Sequence, residues 1–401
     1  MSFLASHFSF ATTLPIPPFS FRLKPPPLAP PPRRRWPPSL PLSLRRKQTT
    51  AAAAMALQQQ GPLSVLSPWL VASALVVLSF SVWIVSFVYP WLHELDMSSS
   101  YSGAPTFIED PTSLEKVYKM QCPSLFDSAE KYISLIMPAF NEEARLSGAL
   151  DETLRYLQKR ANMEKQFTYE IIIVDDGSKD KTLKVAFDYV KRFKLDLVRV
   201  IKQGKNYGKG AAVRKGMLCA RGKLLLMLDS DGATKISDLE KLENEIITQR
   251  TLRTSIQASD PLLITGQPLA AFGSRAHLEK QALATRKWYR NILMKGFHIC
   301  VLLVAGPGIR DTQCGFKMFT RAAAQKLFTN VRLKRWCFDV ELVHLCKRLS
   351  IPIVEVAVNW TEIPGSKVKM LSIFHMLLEL ILIRLGYGLG IWRIRTNSSG
   401  G

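Results

Sequence analysis

Two carboxylates near the middle of the chain have the type and spacing of a metal site. Asp229 and Asp231 flank Ser230 and follow the apolar run 224–228, which is typical of a buried strand. Aspartates at positions i and i+2 of a strand end point to the same side. Mg²⁺ and Mn²⁺ accept one or two protein carboxylates and take their remaining ligands from substrate phosphate. The pair therefore indicates a metal-bridged diphosphate site, with a ligand-free acidic turn as the competing interpretation.

Two other predicted strands also end in polar clusters. Residues 132–137 precede Pro138-Ala139-Phe140-Asn141-Glu142, and residues 170–174 precede Asp175-Asp176-Gly177-Ser178. A helical pattern follows each cluster. Because ligands of open α/β sheets bind beyond the carboxyl ends of the strands, we expect the three clusters to meet in one crevice.

The order of elements predicts how these clusters are held. Strands are predicted near 132–137, 169–174, 197–202 and 223–229 with helices between them, and a late strand at 353–358. Such alternation favours an α/β fold with a mainly parallel, doubly wound, Rossmann-like sheet. Residues 249–268 lack a strong period and are predicted to form a surface loop.

The three clusters resemble the nucleotide-sugar signature of inverting family 2 glycosyltransferases with the GT-A fold, over roughly residues 130–365. Other segments are similar to polyprenyl-phosphate sugar transferases, especially the dolichyl-phosphate β-glucosyltransferase family. These segments are Asn206-Tyr207-Gly208-Lys209-Gly210, Phe272-Gly273-Ser274-Arg275, 311–317 and 335–341. The resemblance implies inverting transfer of glucose from UDP-glucose to dolichyl phosphate, for protein N-glycosylation, at the endoplasmic reticulum membrane.

The resemblance also implies roles for individual residues. Asp229 and Asp231 would hold Mg²⁺ or Mn²⁺ at the departing diphosphate, and Asp175 and Asp176 would contact uridine. The implied UDP-sugar-binding residues are Pro138, Asn141, Glu142, Asp175, Asp176, Lys209 and Ser230. The implied catalytic residues are Asp229, Asp231, Arg275, Arg290, Gln313 and Asp339.

The acceptor phosphate sets a different requirement. A phosphate monoester has a second pKa near 6, so it is already a nucleophile at neutral pH and needs little help from a base. It does need cations to align it, and arginine binds phosphate bidentately. The related transferases imply Arg275 and Arg290 for this role, with Lys317 as a third candidate. Gln313 is expected to border the donor, and Asp339 or Glu341 to orient sugar hydroxyls.

Three other functions are considered. A dolichyl-phosphate mannose synthase using GDP-mannose would share the general chemistry. A processive polysaccharide synthase is disfavoured, because Arg332 replaces the glutamine of its Gln-x-x-Arg-Trp element. A non-catalytic, membrane-anchored nucleotide-binding scaffold is the alternative from another class, and three intact acidic clusters argue against it.

Charge and hydropathy divide the rest of the chain. The net charge of +22 fits nucleic acid or anionic membrane, but no nucleic-acid-binding motif accompanies it. Residues 1–54 are rich in proline and serine, with eight basic and no acidic residues, which predicts disorder. The predicted segments are the extension 1–54, an apolar transmembrane anchor at 62–92, a polar connector at 93–130, a GT-A domain at 131–365 and a basic amphipathic interfacial helix at 366–395.

The predicted topology depends on where translation starts. The basic residues before the anchor would place the following domain in the lumen by the positive-inside rule. A start at Met55 removes all eight and leaves a net charge of +14. We therefore expect a single-pass protein of the endoplasmic reticulum membrane with a cytosolic catalytic domain. The oligomeric state stays open.

The cysteines fit a reducing compartment. The six show no CxxC pair and no spacing typical of a disulfide framework, so free thiols are expected. Two glycosylation sequons, at Asn359 and Asn397, should be unmodified on a cytosolic domain.

Overall fold

The computed structural model describes residues 68–95, 107–110, 118–254, 266–278, 288–363 and 370–395. The predicted extension 1–54 lies outside these residues. The chain divides into two compact units, Met1–Ser79 and Phe80–Gly401, and the sheets belong to the second.

The described residues contain nine strands. They are β1 Phe107–Asp110, β2 Tyr118–Gln121, β3 Lys131–Ala139, β4 Tyr169–Asp175, β5 Val198–Lys202, β6 Gly222–Leu228, β7 Ala270–Ser274, β8 Phe316–Thr320 and β9 Ile353–Ala357. Seven form one sheet in the order β5-β4-β3-β6-β8-β7-β9, in which only β8 is antiparallel to its neighbours. The prediction of a mainly parallel α/β sheet is confirmed. β1 and β2 pair antiparallel within the segment predicted to be a connector.

Helices flank the strands along the chain. They are α1 Pro68–Leu95, α2 Leu146–Met163, α3 Thr182–Phe193, α4 Lys209–Leu218, α5 Leu239–Thr254, α6 Trp288–Ala305, α7 Arg321–Phe328, α8 Phe338–Arg348 and α9 Met370–Gly388. The loop predicted at 249–268 is wrong at its start, because α5 continues through Thr254. Arg250 is buried there, so tertiary packing holds this last turn of the helix. Residues 255–265 lie outside the described part.

The sheet is covered on both faces, which explains its apolar strands. All seven residues of β4 are buried. Ile172 and Val174 join the core on one face, while Ile171 and Ile173 join the core on the other. Strands buried on both faces need continuous apolar sequence, and the resulting rigid sheet fixes the ends that carry the acidic clusters.

The described side chains of helix α9 pack against the core of the second unit through one face. Met376, Leu380 and Ile383 are buried in the core. The predicted amphipathic stripe is exposed on the other face at Leu378, Ile381, Leu385 and Leu389, with exposed fractions of 45–69%.

Two residues of the predicted α9 pattern are placed differently. Glu379, expected on a polar face, is buried and accepts a hydrogen bond from the Cys337 N–H at 2.9 Å. Trp392, expected on the exposed stripe, is buried against the Tyr387 ring at 5.2 Å. Both sides of the helix are largely apolar, so tertiary contacts decide which side is covered.

Helix α1 overlaps the predicted anchor at 62–92 and continues three residues beyond it, to Leu95. Its described side chains between Leu70 and Val85 are exposed, including Trp83. Within the described part of the chain, no helix is long and apolar enough to cross a membrane. The prediction of a membrane-spanning segment therefore receives no support from the structure.

Candidate active site

The end of β3 is tied to the end of β4. Asn141 adopts the left-handed conformation, with φ of 52°. Its N–H donates to Ser178 Oγ at 2.9 Å, and its side-chain oxygen accepts from the Lys179 N–H at 2.8 Å. Asn141 thus holds two strand ends together and lies outside the lining of the cavity described below. Glu142 does line that cavity and forms an ion pair with Arg145 at 2.7 Å.

The two adjacent aspartates after β4 have different environments. Asp175 is buried at the strand end and accepts from the Ser178 N–H at 3.3 Å. Asp176 reaches the cavity, and its two oxygens accept from the Tyr207 and Gly208 N–H groups, each at 2.8 Å. Burial raises the pKa of Asp176 to about 6, although these two hydrogen bonds oppose the shift. Of the predicted pair, Asp176 is therefore the one placed to contact a ligand.

The glycine loop before α4 is held closely against the segment before α8. Gly208 has φ of 108°, and a Cβ atom there would lie 2.5 Å from the Lys334 carbonyl. The Ala211 N–H donates to that same carbonyl at 3.0 Å. Only glycine permits this approach. The loop presents Lys209, whose Nζ lies 2.6 Å from Asp229 Oδ1.

The cluster after β6 contains carboxylate oxygens that could serve as ligands for a divalent cation. Ser230 Oγ donates to the Pro138 carbonyl at 2.9 Å, which joins the ends of β6 and β3. Asp231 Oδ1 accepts from the Ala233 N–H at 3.0 Å. Gly315 makes room for Asp229, because a Cβ at Gly315 would lie 1.9 Å from Asp229 Oδ2.

Asp229 and Asp231 are the carboxylates at this cavity that could bind Mg²⁺ or Mn²⁺. Among the described residues, no group of three or more His, Cys, Asp or Glu side chains could hold a metal. Asp229 and Asp231 both line the cavity, and two carboxylates suffice where phosphate and water supply the other ligands. The residues present therefore fit a metal shared with a diphosphate.

Arg275 lies at the end of β7 and is fixed by Asp311. Its Nε and one terminal nitrogen donate to the two carboxylate oxygens at 2.8 and 3.0 Å, and its backbone N–H donates at 2.9 Å. The Arg275 guanidinium lies 5.3 Å from the centre of the Trp360 ring. Burial acts to raise the pKa of Asp311, but Arg275 outweighs it and holds that pKa below its usual range. Gln313 is adjacent, donating its N–H to Asp311 at 3.2 Å.

Asp339 and Lys317 form a buried pair outside the cavity lining. Lys317 is fully buried on β8, and its ammonium contacts Asp339 and the Cys314 carbonyl. Burial raises the pKa of Asp339, against the attraction of Lys317 and Lys209. The prediction that Lys317 binds the acceptor phosphate is wrong, because its head group is already enclosed. Arg290 lies in the first turn of α6, and its side chain is outside the described part of the structure.

The clusters meet in one cavity of about 680 Å³. The predicted residues that line it are Pro138, Glu142, Asp176, Lys209, Asp229, Ser230, Asp231 and Arg275. Those in the surrounding structure are Asn141, Asp175, Gln313 and Asp339. The expectation that the three strand ends converge is confirmed.

Sequence reasoning missed part of the cavity wall. Arg335, Trp336 and Trp360 line it. Arg335 and Trp336 belong to a segment that carried the family resemblance but received no role. Trp360 is brought to the end of β6 by a bridge to Thr234, a contact between distant residues without a local signal.

Similarity to known proteins extends over most of the chain. The family model "Glycosyl transferase family 2" matches residues 134–328. The dolichyl-phosphate β-glucosyltransferase of Homo sapiens is 44% identical to this chain, over 83% of this chain and 96% of the relative. The dolichyl-phosphate β-glucosyltransferase of Drosophila melanogaster is 47% identical to it, over 72% of this chain and 84% of the relative. A crystal structure of glucosyl-3-phosphoglycerate synthase from Mycobacterium tuberculosis with UDP has 15% identity and a TM-score of 0.40, covering 64% of this chain and 80% of that one.

Proposed function

Because this chain belongs to the dolichyl-phosphate β-glucosyltransferases of glycosyltransferase family 2, we propose that it transfers glucose from UDP-glucose to dolichyl phosphate with inversion. The observation that carries the proposal is the convergence of Asp176, Asp229, Asp231 and Arg275 on one cavity. Carboxylates that can bind the nucleotide and the metal thus share a cavity with Arg275, whose guanidinium can bind the acceptor phosphate.

The nucleotide half of the cavity is the side bounded by Asp176 and the glycine loop. Asp176 fixes the loop that presents Lys209, and its carboxylate can also accept a hydrogen bond from uridine. Asp229 and Asp231 would hold Mg²⁺ or Mn²⁺, which stabilises the negative charge of the departing diphosphate when bound. Lys209 offers a second positive charge for the same diphosphate.

The acceptor half contains Arg275 and two tryptophans, whereas Arg335 lies against Gly208 of the glycine loop. Asp311 fixes the orientation of Arg275, so that little side-chain entropy is lost when a phosphate binds. Trp336 and Trp360 provide apolar surface in the same cavity, which suits a lipid chain attached to a phosphate. Because the phosphate dianion is itself the nucleophile, the reaction needs no general base, and Asp339 serves as the buried partner of Lys317.

We further propose that the chain works at the cytosolic face of the endoplasmic reticulum membrane. Support comes from the lipid acceptor named for its relatives and from exposed apolar side chains on α1 and α9. A lumenal domain would carry glycan at Asn359, which is exposed. A shift in gel mobility on endoglycosidase treatment would contradict the cytosolic placement.

The transfer assay tests the main proposal. Membranes expressing the full chain are given dolichyl phosphate, Mg²⁺ and either UDP-glucose or GDP-mannose, and lipid-linked sugar is counted. We expect glucose transfer that Asp231→Asn abolishes while the variant still folds and reaches the membrane.

Two other outcomes would overturn the proposal in different ways. Transfer of mannose alone would preserve the fold and replace the donor. Failure with both donors, in a folded protein, would favour the non-catalytic scaffold. The names of the relatives favour glucose over mannose.

A further inference from the structure

Lys209 contacts the same carboxylate that the divalent cation needs. Its Nζ lies 2.6 Å from Asp229 Oδ1, and both side chains are partly exposed at the cavity wall. Burial acts to lower the pKa of Lys209, but attraction to Asp229, Asp339 and Asp231 outweighs it and raises that pKa. The ammonium is therefore charged at neutral pH, and it repels any second cation that approaches Asp229.

The backbone around Lys209 is fixed, whereas its side chain can rotate. The Gly208 N–H is held by Asp176 at 2.8 Å, and the Ala211 N–H by the Lys334 carbonyl at 3.0 Å. Lysine carries its charge on a flexible four-carbon stem. The ammonium can thus move within the cavity while the glycine loop keeps its position.

The neighbouring carboxylate, Asp339, keeps a paired lysine when Lys209 moves. Asp339 has a fully buried partner in Lys317, which also donates to the Cys314 carbonyl at 2.6 Å. Movement of Lys209 away from Asp229 therefore leaves Asp339 paired. The contact that must be exchanged is the one between Lys209 and Asp229.

We propose that Lys209 and the divalent cation are alternative partners of Asp229, so that the cation and the nucleotide diphosphate bind as a coupled pair. The diphosphate binds the Lys209 ammonium, and the Asp229 carboxylate then becomes available to bind the cation. Without nucleotide, Lys209 keeps Asp229 occupied and opposes cation binding. The inference rests on the proposed function, because the diphosphate is that of UDP-glucose.

The test measures binding rather than transfer. Mn²⁺ is titrated into the full chain in detergent with and without UDP, and free Mn²⁺ is followed by electron paramagnetic resonance. In the wild type, we expect UDP to tighten Mn²⁺ binding by about tenfold or more, within the usual range of coupling between sites. In Lys209→Met, we expect Mn²⁺ to bind without UDP about tenfold more tightly than in the wild type, and the UDP effect to shrink by about the same factor, leaving the part that comes from ligation of Mn²⁺ by the diphosphate itself.

The matched control is Lys205→Met, which removes the same charge from the same loop. Lys205 lies over the Tyr207 ring at 4.9 Å, away from the cavity lining, and the variant should behave like the wild type. Lys209→Gln repeats the test if the methionine variant does not fold.

Unchanged Mn²⁺ affinity in nucleotide-free Lys209→Met, or equal effects of both lysine variants, would overturn the coupling. Repeating the titration with GDP separates this inference from the donor assignment. Coupling seen with GDP but not UDP would retain the Lys209 exchange and reject UDP-glucose as donor.

Discussion

At the residue scale, Asp176 makes donor binding depend on pH. Its carboxylate accepts two loop N–H groups, and burial raises its pKa to about 6. As pH falls through that value the group is protonated and loses acceptor capacity, so the loop and its ligand are held less well. We expect UDP-glucose affinity to be full above pH 7 and to fall between pH 7 and 5.

Calorimetric titration of UDP-glucose checks this dependence without the acceptor, whose own phosphate titrates near pH 6. Asp176→Asn should bind UDP-glucose more weakly at pH 7, and its affinity should be nearly flat across the same range. A wild-type affinity independent of pH between 5 and 7 would contradict the role of Asp176.

Gly315 offers a second prediction at this scale, because it has no space for a side chain beside Asp229. The added Cβ of Gly315→Ala would lie 1.9 Å from Asp229 Oδ2, so the carboxylate must move. Since small displacements at a reacting centre cost about 100-fold in rate, we expect at least about 100-fold slower glucose transfer and weaker Mn²⁺ binding with UDP.

The control is Gly148→Ala in α2, where a Cβ would meet nothing within 4 Å. It should leave transfer unchanged. Transfer by Gly315→Ala at the wild-type rate would show that Asp229 tolerates displacement.

The candidate site could be predicted where chemistry and chain position coincide. Asp229 and Asp176 follow strongly apolar strands, and strand ends of a parallel sheet meet at one edge. The sequence could not show that Lys317 is enclosed by Asp339, because the two residues come from β8 and α8. It could not find Trp360 for the same reason.

At the element scale, α9 is joined to α8 by a buried polar network. Glu341 accepts from the Leu333 N–H at 2.8 Å and from the Tyr387 hydroxyl at 2.7 Å. Burial raises the pKa of Glu341 to about 7, so the loss of any hydrogen bond to its carboxylate makes the charged form less stable. We expect Tyr387→Phe to lower the free energy of unfolding by about 1–3 kcal/mol.

Urea denaturation at pH 8 measures this change, with Tyr207→Phe as the control. Tyr207 is exposed, so loss of its hydroxyl should change the free energy of unfolding by less than about 0.5 kcal/mol. Equal effects of the two variants would show that the Glu341 network adds little stability.

The fold was predictable for the strands and less so for α9. Runs such as 171–174 are apolar throughout and are followed by turn residues, which leaves few alternatives to a buried strand. In α9 both helix faces are apolar, so periodicity alone does not say which face packs against α8. Glu379 illustrates the difficulty, because its burial depends on the distant Cys337 N–H.

At the scale of the whole molecule, the catalytic unit presents apolar side chains that its own core does not cover. Ile299, Leu302 and Leu303 of α6 are exposed, as are Leu378 and Ile381 of α9, and α6 packs beside α9. Contiguous exposed apolar surface marks an interaction site. Arg384 and Arg393 are exposed on and just after α9, and basic residues favour anionic headgroups. We therefore expect this surface to rest on the membrane that supplies the lipid acceptor.

Replacing both Leu378 and Ile381 by glutamate tests that placement, because each change puts a charge where apolar contact with lipid is expected. In flotation with vesicles containing phosphatidylserine, we expect the double variant of the full chain to bind at least about fivefold less than the wild type, since interfacial binding scales with buried apolar area. Transfer to dolichyl phosphate should fall while UDP-glucose affinity is kept, because neither residue lines the cavity.

Leu252→Glu, at an exposed leucine of α5, controls for the added charge and should float like the wild type. Undiminished flotation and transfer in the double variant would mean that α9 does not meet the membrane, and that attachment depends on other parts of the chain, among them the exposed apolar side chains of α1.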